Sequence, residues 1–463
     1  MSGAIRSFFL TRPPPFGIID SAGNSTNSML QGENKMAVYT GNTEPQVGAI
    51  RSDFVPPEDR GEEKFPISFW NYRYVGEGLT PDEVAVWADL GLTVSMAPRV
   101  KWDGEKKDEL LKYLDNAEKA GIKLIIWVEG LEYDHYRRMT DEEYREFFTK
   151  VHEKFRHPAL YGFYVGDEPG GVENFRACRE VIKIQREIAP EINPYLNLHT
   201  CMDDVDPAEF DGRTFREWLR DLAAETGFKI FSYGHYDQVW NDFGVESYYR
   251  NIKALREASD AAGVDMWNTL LSSAHYMFRI PTEYEFTWQV NVSAALGSRG
   301  IVWFRLYDRP HGPNNHGSPI DEYGNRTPTY IPFLHANRRF QDQYGKLIMR
   351  LKFREAFFAH ENHGGFETLP FRHHPVVETV RATEEAVISF FNDRETGEEY
   401  LVLVNASMDK PGVFRPEFDR EKHSLKTVMF NGAVLSPYDH GKTEAYWDGE
   451  WLYPGQMIIY KID

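Results

Sequence analysis

From Lys64 onward the chain alternates two hydrophobic rhythms. Short continuous apolar runs recur eight times: FPISFWNYR (65–73), LTVSMAPRV (92–100), IKLIIWVEG (122–130), LYGFYVGDE (160–168), NPYLNLHT (193–200), KIFSYGHY (229–236), VDMWNTLLSS (264–273) and IVWFRLYD (301–308). Between them apolar residues fall three and four apart, the spacing of one helix face. In TPDEVAVWADLG, Thr80 reads as N-cap, Pro81 as first-turn residue and Gly91 as stop. KKDELLKYLDNAEKAG ends at Gly121, and TDEEYREFFTKVHEKF opens as a capping box from Thr140 to Glu143. Five further helical stretches follow, the last being YIPFLHANRRFQDQYGKLIMRL. Strands apolar throughout are covered on both faces, as in parallel sheets. Eight strand–helix units predict an α/β fold, a (β/α)8 TIM barrel over residues 63–353. The alternative is an open doubly wound sheet, whose Gly-rich phosphate turn after an early strand is missing.

The texture differs on either side. Residues 1–62 carry many Gly, Pro, Ser and Asn with little periodicity and are expected to be an irregular arm. Their start, MSGAIRSFFLTRPPPFGII, is broken by prolines and lacks a small-residue cleavage site, so it is not read as a signal peptide. Met29 and Met36 are alternative starts, and the compartment stays open. After residue 354, VVETVRAT, AVISFFND, EYLVLVNAS, LKTVMFNG and QMIIYKI are short, β-branched and separated by turn residues. They predict an antiparallel β-sandwich over 354–463.

Composition excludes several function classes. The chain is 41% hydrophobic, enough to fill a large core. Its net charge of −19, with no Lys/Arg stripe, argues against nucleic acid. Cys178 and Cys201 are too few for a disulfide framework or a cysteine metal site. No apolar run approaches the ~20 residues that cross a membrane. Nothing indicates an oligomeric state.

Barrel active sites lie at the C-terminal strand ends. The eight runs end, in order, in Asn71 and Arg73; Arg99; Trp127 and Glu129; Asp167 and Glu168; Asn197 and His199; Tyr233, His235 and Tyr236; serines and His275, after Trp267; and Arg305, Tyr307 and Asp308. Strands exit into water, so any single polar tip is unremarkable; the collection of acids, histidines, arginines and tryptophans is harder to dismiss. Asp167 and Glu168 stand out. A carboxylic acid of raised pKa can protonate a leaving oxygen, and an adjacent carboxylate raises it. The bland reading is a strand–helix turn whose acids favour the next helix N-terminus.

GFYVGDEP at the fourth strand end resembles the Gly-Asn-Glu-Pro or Asp-Glu-Pro signature of (β/α)8 glycoside hydrolases. RIPTEYEFTWQVNVSAALGSRGIVWFRLYD (279–308), SPIDEYGNRTPTYIPFLHANRRF (318–340) and SYGHY are similar to segments of beta-galactosidase-like and uncharacterised bacterial glycosidase-like barrels. The resemblance covers residues 64–463. It implies a glycosidase acting on a carbohydrate without cofactor or metal, with Glu168 as general acid and Asp167 orienting substrate or donor. It departs at strand seven, VDMWNTLLSSAH, which lacks the nucleophilic Glu of retaining relatives. An inverting enzyme would then need a base, with Asp308 and Glu129 the leading candidates and Asp237 a weaker one. Alternatively the substrate supplies the nucleophile, with Asp167 orienting an acetamido group.

Arg73, Arg99, Trp127, Asn197, His199, Tyr233, His235, Tyr236, Trp267, His275 and Arg305 are the expected substrate contacts. Trp127, Tyr233 and Tyr236 are the expected stacking rings. Trp70 and Trp303 fit a core role equally well, and Arg73 and Arg99 could grip a uronate or pair with Glu129 or Asp167. Two rivals stand beside this reading. A metal hydrolase would use His199, His235 and Asp308, with His275 nearby, but strand one lacks a His-x-His pair. A non-catalytic carbohydrate-binding barrel would keep the aromatics and not need Glu168.

Overall fold

The computed structural model describes residues 63–240, 244–309, 314–429, 435–437 and 449–463. The expected arm over 1–62 and the turn YDHGKTE lie outside them. Eight parallel strands form the barrel: β1 Ile67–Phe69, β2 Val94–Met96, β3 Lys123–Ile126, β4 Leu160–Asp167, β5 Tyr195–Leu198, β6 Ile230–Gly234, β7 Asp265–Leu271 and β8 Ile301–Phe304. The sheet runs β1-β8-β7-β6-β5-β4-β3-β2. The ring closes where Thr93 N donates to Ile67 O at 3.0 Å and Ile67 N to Thr93 Oγ1 at 2.9 Å.

Side-chain parity divides the core into two layers. Trp70, Met96, Ile125, Tyr164, Tyr195, Ile230, Trp267 and Phe304 fill the lumen. Phe69, Phe163, Tyr233, Met266, Leu270 and Trp303 pack outward under the helices. Trp303 donates to Asn337 Oδ1 at 2.8 Å, so it belongs to the helix layer.

The outer helices are α1 Glu83–Asp89, α2 Glu109–Ala120, α3 Asp141–Phe155, α4 Val172–Ile188, α5 Phe215–Thr226, α6 Gly244–Ala262, α7 Glu283–Ala295 and α8 Tyr330–Phe340. Gly121 ends α2 in the left-handed conformation, and Thr140 and Glu143 form their capping box. One boundary differs: Asp82, not Thr80, precedes α1, because residues 81–82 form a turn in which Thr80 O accepts Glu83 N.

Gly162 in β4 fixes how β5 approaches. An added Cβ would lie 1.6 Å from Asn193 O, and Tyr161 O accepts Asn193 N beside it. Backbone cannot yield as a side chain does. Gly162→Ala is therefore expected to cost at least about 3 kcal/mol, seen as a lower urea midpoint with little change in slope.

Helix gives way to antiparallel strand at Arg350–Leu351. The stretch Leu351–Phe358, whose first residue alone reads as the end of the eighth helix, is strand, because it pairs with Ala386–Asp393. The strands are β9 Leu351–Phe358, β10 Val377–Ala382, β11 Ala386–Asp393, β12 Glu399–Asn405, β13 Gly412–Phe418, β14 Leu425–Val428, β15 Leu435–Pro437, β16 Glu450–Leu452 and β17 Met457–Ile462. They form a six-stranded sheet, β9-β11-β12-β17-β14-β15, and a three-stranded sheet, β10-β13-β16. Phe357, Ile388, Leu401, Leu403, Phe414 and Tyr460 lie between them. The other face of the large sheet, with Val387, Phe391, Val402, Val404 and Ile459, continues the barrel's outer core.

This continuity explains α7, whose residues from Glu285 to Ala295 are buried apart from half-buried Thr287. Trp288 Nε1 donates to Ala406 O at 2.8 Å and Asn291 Nδ2 to Gly455 O at 2.9 Å. A polar clasp supplements the seam. His363 Nδ1 bonds Glu246 of α6, and its Nε2 lies 3.2 Å from Glu385. The Glu385 carboxylate also accepts N–H bonds from Ala359, His360 and Glu361.

Candidate active site

The β4 tip is shaped by glycine and a left-handed acid. Gly166 has φ +156°, and an added Cβ would stand 2.3 Å from the Tyr133 ring. Tyr133 OH donates to Asp167 O at 3.0 Å. Glu168 has φ +42°, uncommon for a non-glycine residue, while its N–H still bonds Asn197 O at 2.9 Å. The pair therefore splits into two environments.

Asp167 is rooted in the wall. Its Oδ1 accepts Asn197 Nδ2 at 2.9 Å, and Asn197 Oδ1 faces Thr269 Oγ1 at 3.4 Å, linking β4, β5 and β7. Asp167 is accessible to solvent at the mouth, yet the surrounding walls displace most of its water. Desolvation raises its carboxyl to about 6; the Asn197 donor opposes this and the Glu168 charge adds to it. Glu168 is half-exposed, with Oε2 3.9 Å from His199 Nδ1.

An aromatic wall stands beside the acids. Tyr72 packs edge-on against Phe304 at 6.1 Å, Tyr236 lies on Phe304 at 6.0 Å, and His275 meets Phe304 at 4.7 Å. Phe278 closes on Tyr236 at 5.5 Å. Burial raises the Tyr72 phenol, with a further push from Asp167, while Arg309 and Arg305 oppose. The Arg309 guanidinium lies 4.3 Å over the Tyr72 ring. Burial lowers the His275 imidazole.

Asp167, Glu168, Asn197, His199, Tyr236 and His275 thus gather around one mouth, with Tyr72, Thr269, Phe304, Phe278 and Arg309 added. Tyr72 had a signal: it shares parity with lumen-facing Trp70, whereas Asn71 and Arg73 lie on the other parity. Thr269 shares the parity of Trp267.

Other expected contacts go elsewhere. Tyr233 and His235 have outward parity. Tyr233 is fully buried, and His235 Nε2 meets Ser247 Oγ of α6 at 2.9 Å. Asp237 accepts that same hydroxyl at 2.8 Å, and its carboxyl is lowered chiefly by His235. Trp267 faces the lumen but sits deep, packed on Tyr161 and Tyr195. Trp127 is walled in by Tyr164 at 4.2 Å and donates to Glu132. Arg99 is stacked on Tyr74 and faces Trp127. Arg73 pairs with neither Glu129 nor Asp167: it donates to the carbonyls of Glu77, Asp321 and Glu322, pinning the loops after β1 and β8 together. Glu129 accepts the Tyr74 hydroxyl. Asp308 accepts the backbone N–H groups of Gly317 and Ser318 at 3.1 and 2.9 Å. Arg305 is buried, donates to Asn315 Oδ1 at 3.3 Å and lies 3.9 Å from Asp308.

The metal set does not converge, since His235, Asp308 and His199 have these separate partners. Among the described residues, Glu132, Asp134 and His135 offer ligand atoms within 4.8 Å of one another. Glu132 already accepts Gly130 N at 2.7 Å and the Trp127 indole. No described helix is long and apolar enough to cross a membrane.

This architecture is the glycoside hydrolase-like (β/α)8 fold. One similar solved structure, described as a glycoside hydrolase, shares 10% identity over 86% of this chain and 92% of its own, at a TM-score of 0.51. A glycoside hydrolase family 5 structure from Bacteroides vulgatus ATCC 8482 shares 12% identity over 86% and 88%, also at 0.51. A beta-galactosidase from the psychrophilic Marinomonas ef1 is matched over 59% of each chain at 10% identity and a TM-score of 0.43, so the chain spans 59% of that protein's length. No family model matches the sequence, and no curated protein matches it.

Proposed function

We propose that the protein is a glycosidase of the substrate-assisted kind, cleaving O-glycosides of 2-acetamido sugars in an oligo- or polysaccharide. The observation that carries this is the split pair at the β4 tip: Asp167 rooted by Asn197, Glu168 half-exposed at the mouth beside His199. Glu168 protonates the glycosidic oxygen as the bond to the anomeric carbon breaks. β7 offers Leu271 and buried Ser272 and Ser273 where a carboxylate nucleophile would be needed. Glu129 and Asp308, the candidate bases, are held by Tyr74 and by backbone amides. The acetamido oxygen attacks the anomeric carbon as the glycosidic bond breaks, with Asp167 accepting the acetamido N–H, and the Glu168 carboxylate then takes a proton from the water that opens the resulting ring with net retention.

The test is a panel of 4-nitrophenyl glycosides with anomeric products followed by NMR. Turnover is expected for N-acetylhexosaminides and not for their 2-hydroxy analogues. Hydrolysis of 2-hydroxy glycosides with inversion would instead demand a protein base, and binding without turnover would support the carbohydrate-binding barrel. An orienting Asp167 must be ionised, so kcat/KM should fall as pH drops through about 6. One observation favours a second reading: a carboxyl held near 6 is itself a proton donor at neutral pH. In that case kcat/KM falls as pH rises through about 6.

A further inference from the structure

A second cavity, of about 300 Å³, lies at the opposite end of the barrel, against the first strands of the sandwich. Its lining comes from the end of α6 (Arg256, Ser259, Asp260), the approaches to β7 and β8 (Asp265, Ser298, Arg299), and β9 and β11 with the turn that follows (Lys352, Phe353, Phe391, Arg394). That volume is at the lower end of small-molecule pockets, roughly 300–1,000 Å³.

Three of the lining residues carry a buried polar atom with no partner among the described residues: Ser259 Oγ, Ser298 Oγ and Arg256 Nε. Both serines are fully buried and Arg256 is 7% exposed. Buried hydroxyls and guanidinium nitrogens normally find a partner, from protein, water or ligand. Charge adds direction. Four cations, Arg256, Arg299, Arg394 and Lys352, face two acids, Asp260 and Asp265. Asp260 is taken by Arg256 at 2.5 Å and Asp265 by Arg299 at 2.8 Å. Arg394 and Lys352 are left at the exposed rim, and the side chain of neither makes an ion pair or hydrogen bond among the described residues. Burial lowers the Arg299 guanidinium and Arg394 lowers it further, while Asp265 and Glu63 oppose. In a chain of net charge −19, such a surplus of cations above unpartnered hydroxyls is the complement of an oxyanion.

We infer that this seam cavity binds a phosphate group, either inorganic phosphate or the phosphate of a small phosphorylated sugar, with Arg394 and Lys352 at the rim and Ser259, Ser298 and Arg256 at the floor. The site lies away from the β-strand tips and stands whether or not the glycosidase reading holds.

The test is calorimetric titration and thermal shift of the full chain with inorganic phosphate and with glucose 6-phosphate, against chloride at matched ionic strength. Saturable binding and a concentration-dependent rise in Tm are expected with at least one phosphate and not with chloride. The tighter of the two identifies the source. Arg394→Gln, an exposed change, should leave the ligand-free Tm unchanged and weaken binding at least about tenfold. Ser298→Ala should weaken it too, while Glu168→Gln should bind as the parent does. Equal response to chloride, no binding by either phosphate, or an Arg394→Gln protein that binds undiminished would overturn the inference.

Discussion

Glu168→Gln should lower turnover of a responsive glycoside by about 10²- to 10⁴-fold, the range that removal of a general acid costs. The substitution keeps shape and left-handed backbone, so the Tm should hold while kcat falls. Substrates with good leaving groups, such as dinitrophenyl glycosides, should lose least, because their oxygen needs little protonation. Asp167→Asn should act differently. It removes the acceptor for the acetamido N–H and abolishes the rate limb near pH 6. A Glu168→Gln protein that turns over aryl glycosides of poor leaving groups as fast as the parent would remove Glu168 from the donor's role. Asp167→Asn would then be the variant that carries the leaving-group dependence.

The second large effect lies at the His363 clasp. Glu385 first, then Glu246, raises the imidazole to about 9 against the cost of burial. Reciprocally, hydrogen bonds from His363 and the loop amides hold Glu385 at about 2, although burial opposes them. The signs give a window. The histidine's contribution is whole below its unfolded pKa of about 6.5 and is lost as pH rises through about 9. The Glu385 contribution is whole above about 4.5 and is lost as pH falls toward about 2. The clasp is therefore strongest from about pH 4.5 to 6.5. The histidine shift corresponds to no more than about 3 kcal/mol, and only the His363 share of the Glu385 shift reports the same interaction from its other side. His363→Ala should lower Tm by several °C at pH 6, and His363→Gln by less, since it keeps one donor. The parent should lose this advantage between pH 7 and 9.5; equal pH slopes for parent and variant would contradict the account.

Much of the barrel was legible because parallel strands must be apolar on both faces and their helices need caps. Thr140, Glu143 and Gly121 announce themselves in that way. Asp167 and Glu168 were legible for the same reason, since acids are conspicuous after LYGFYV. The strand Leu351–Phe358 was harder to see, because LKFREAFF follows a helical run without a break and owes its form to pairing with β11. Strand ends read without parity mix lumen-facing residues with outward-facing ones. On β6, Tyr233 and His235 share a face with Phe231 and point to the helices, while Tyr236 follows Ser232 into the lumen. On β1 the same rule selects Tyr72 over Arg73. Parity alone could not have revealed that Asp308 is consumed by the amides of Gly317 and Ser318, or Glu129 by Tyr74. Those partners are distant in sequence or belong to loops without periodicity.

The burial of α7 from Glu285 onward has a consequence for modularity. Its outer side meets the sandwich with Trp288, and Gly455 comes so close that an added Cβ would stand 2.5 Å from the helix backbone. A cassette joined by a linker can be gained, lost or traded between lineages with little harm. Here the second module covers the outer side of a barrel helix, so removing it would lay Trp288 and Asn291 open to water.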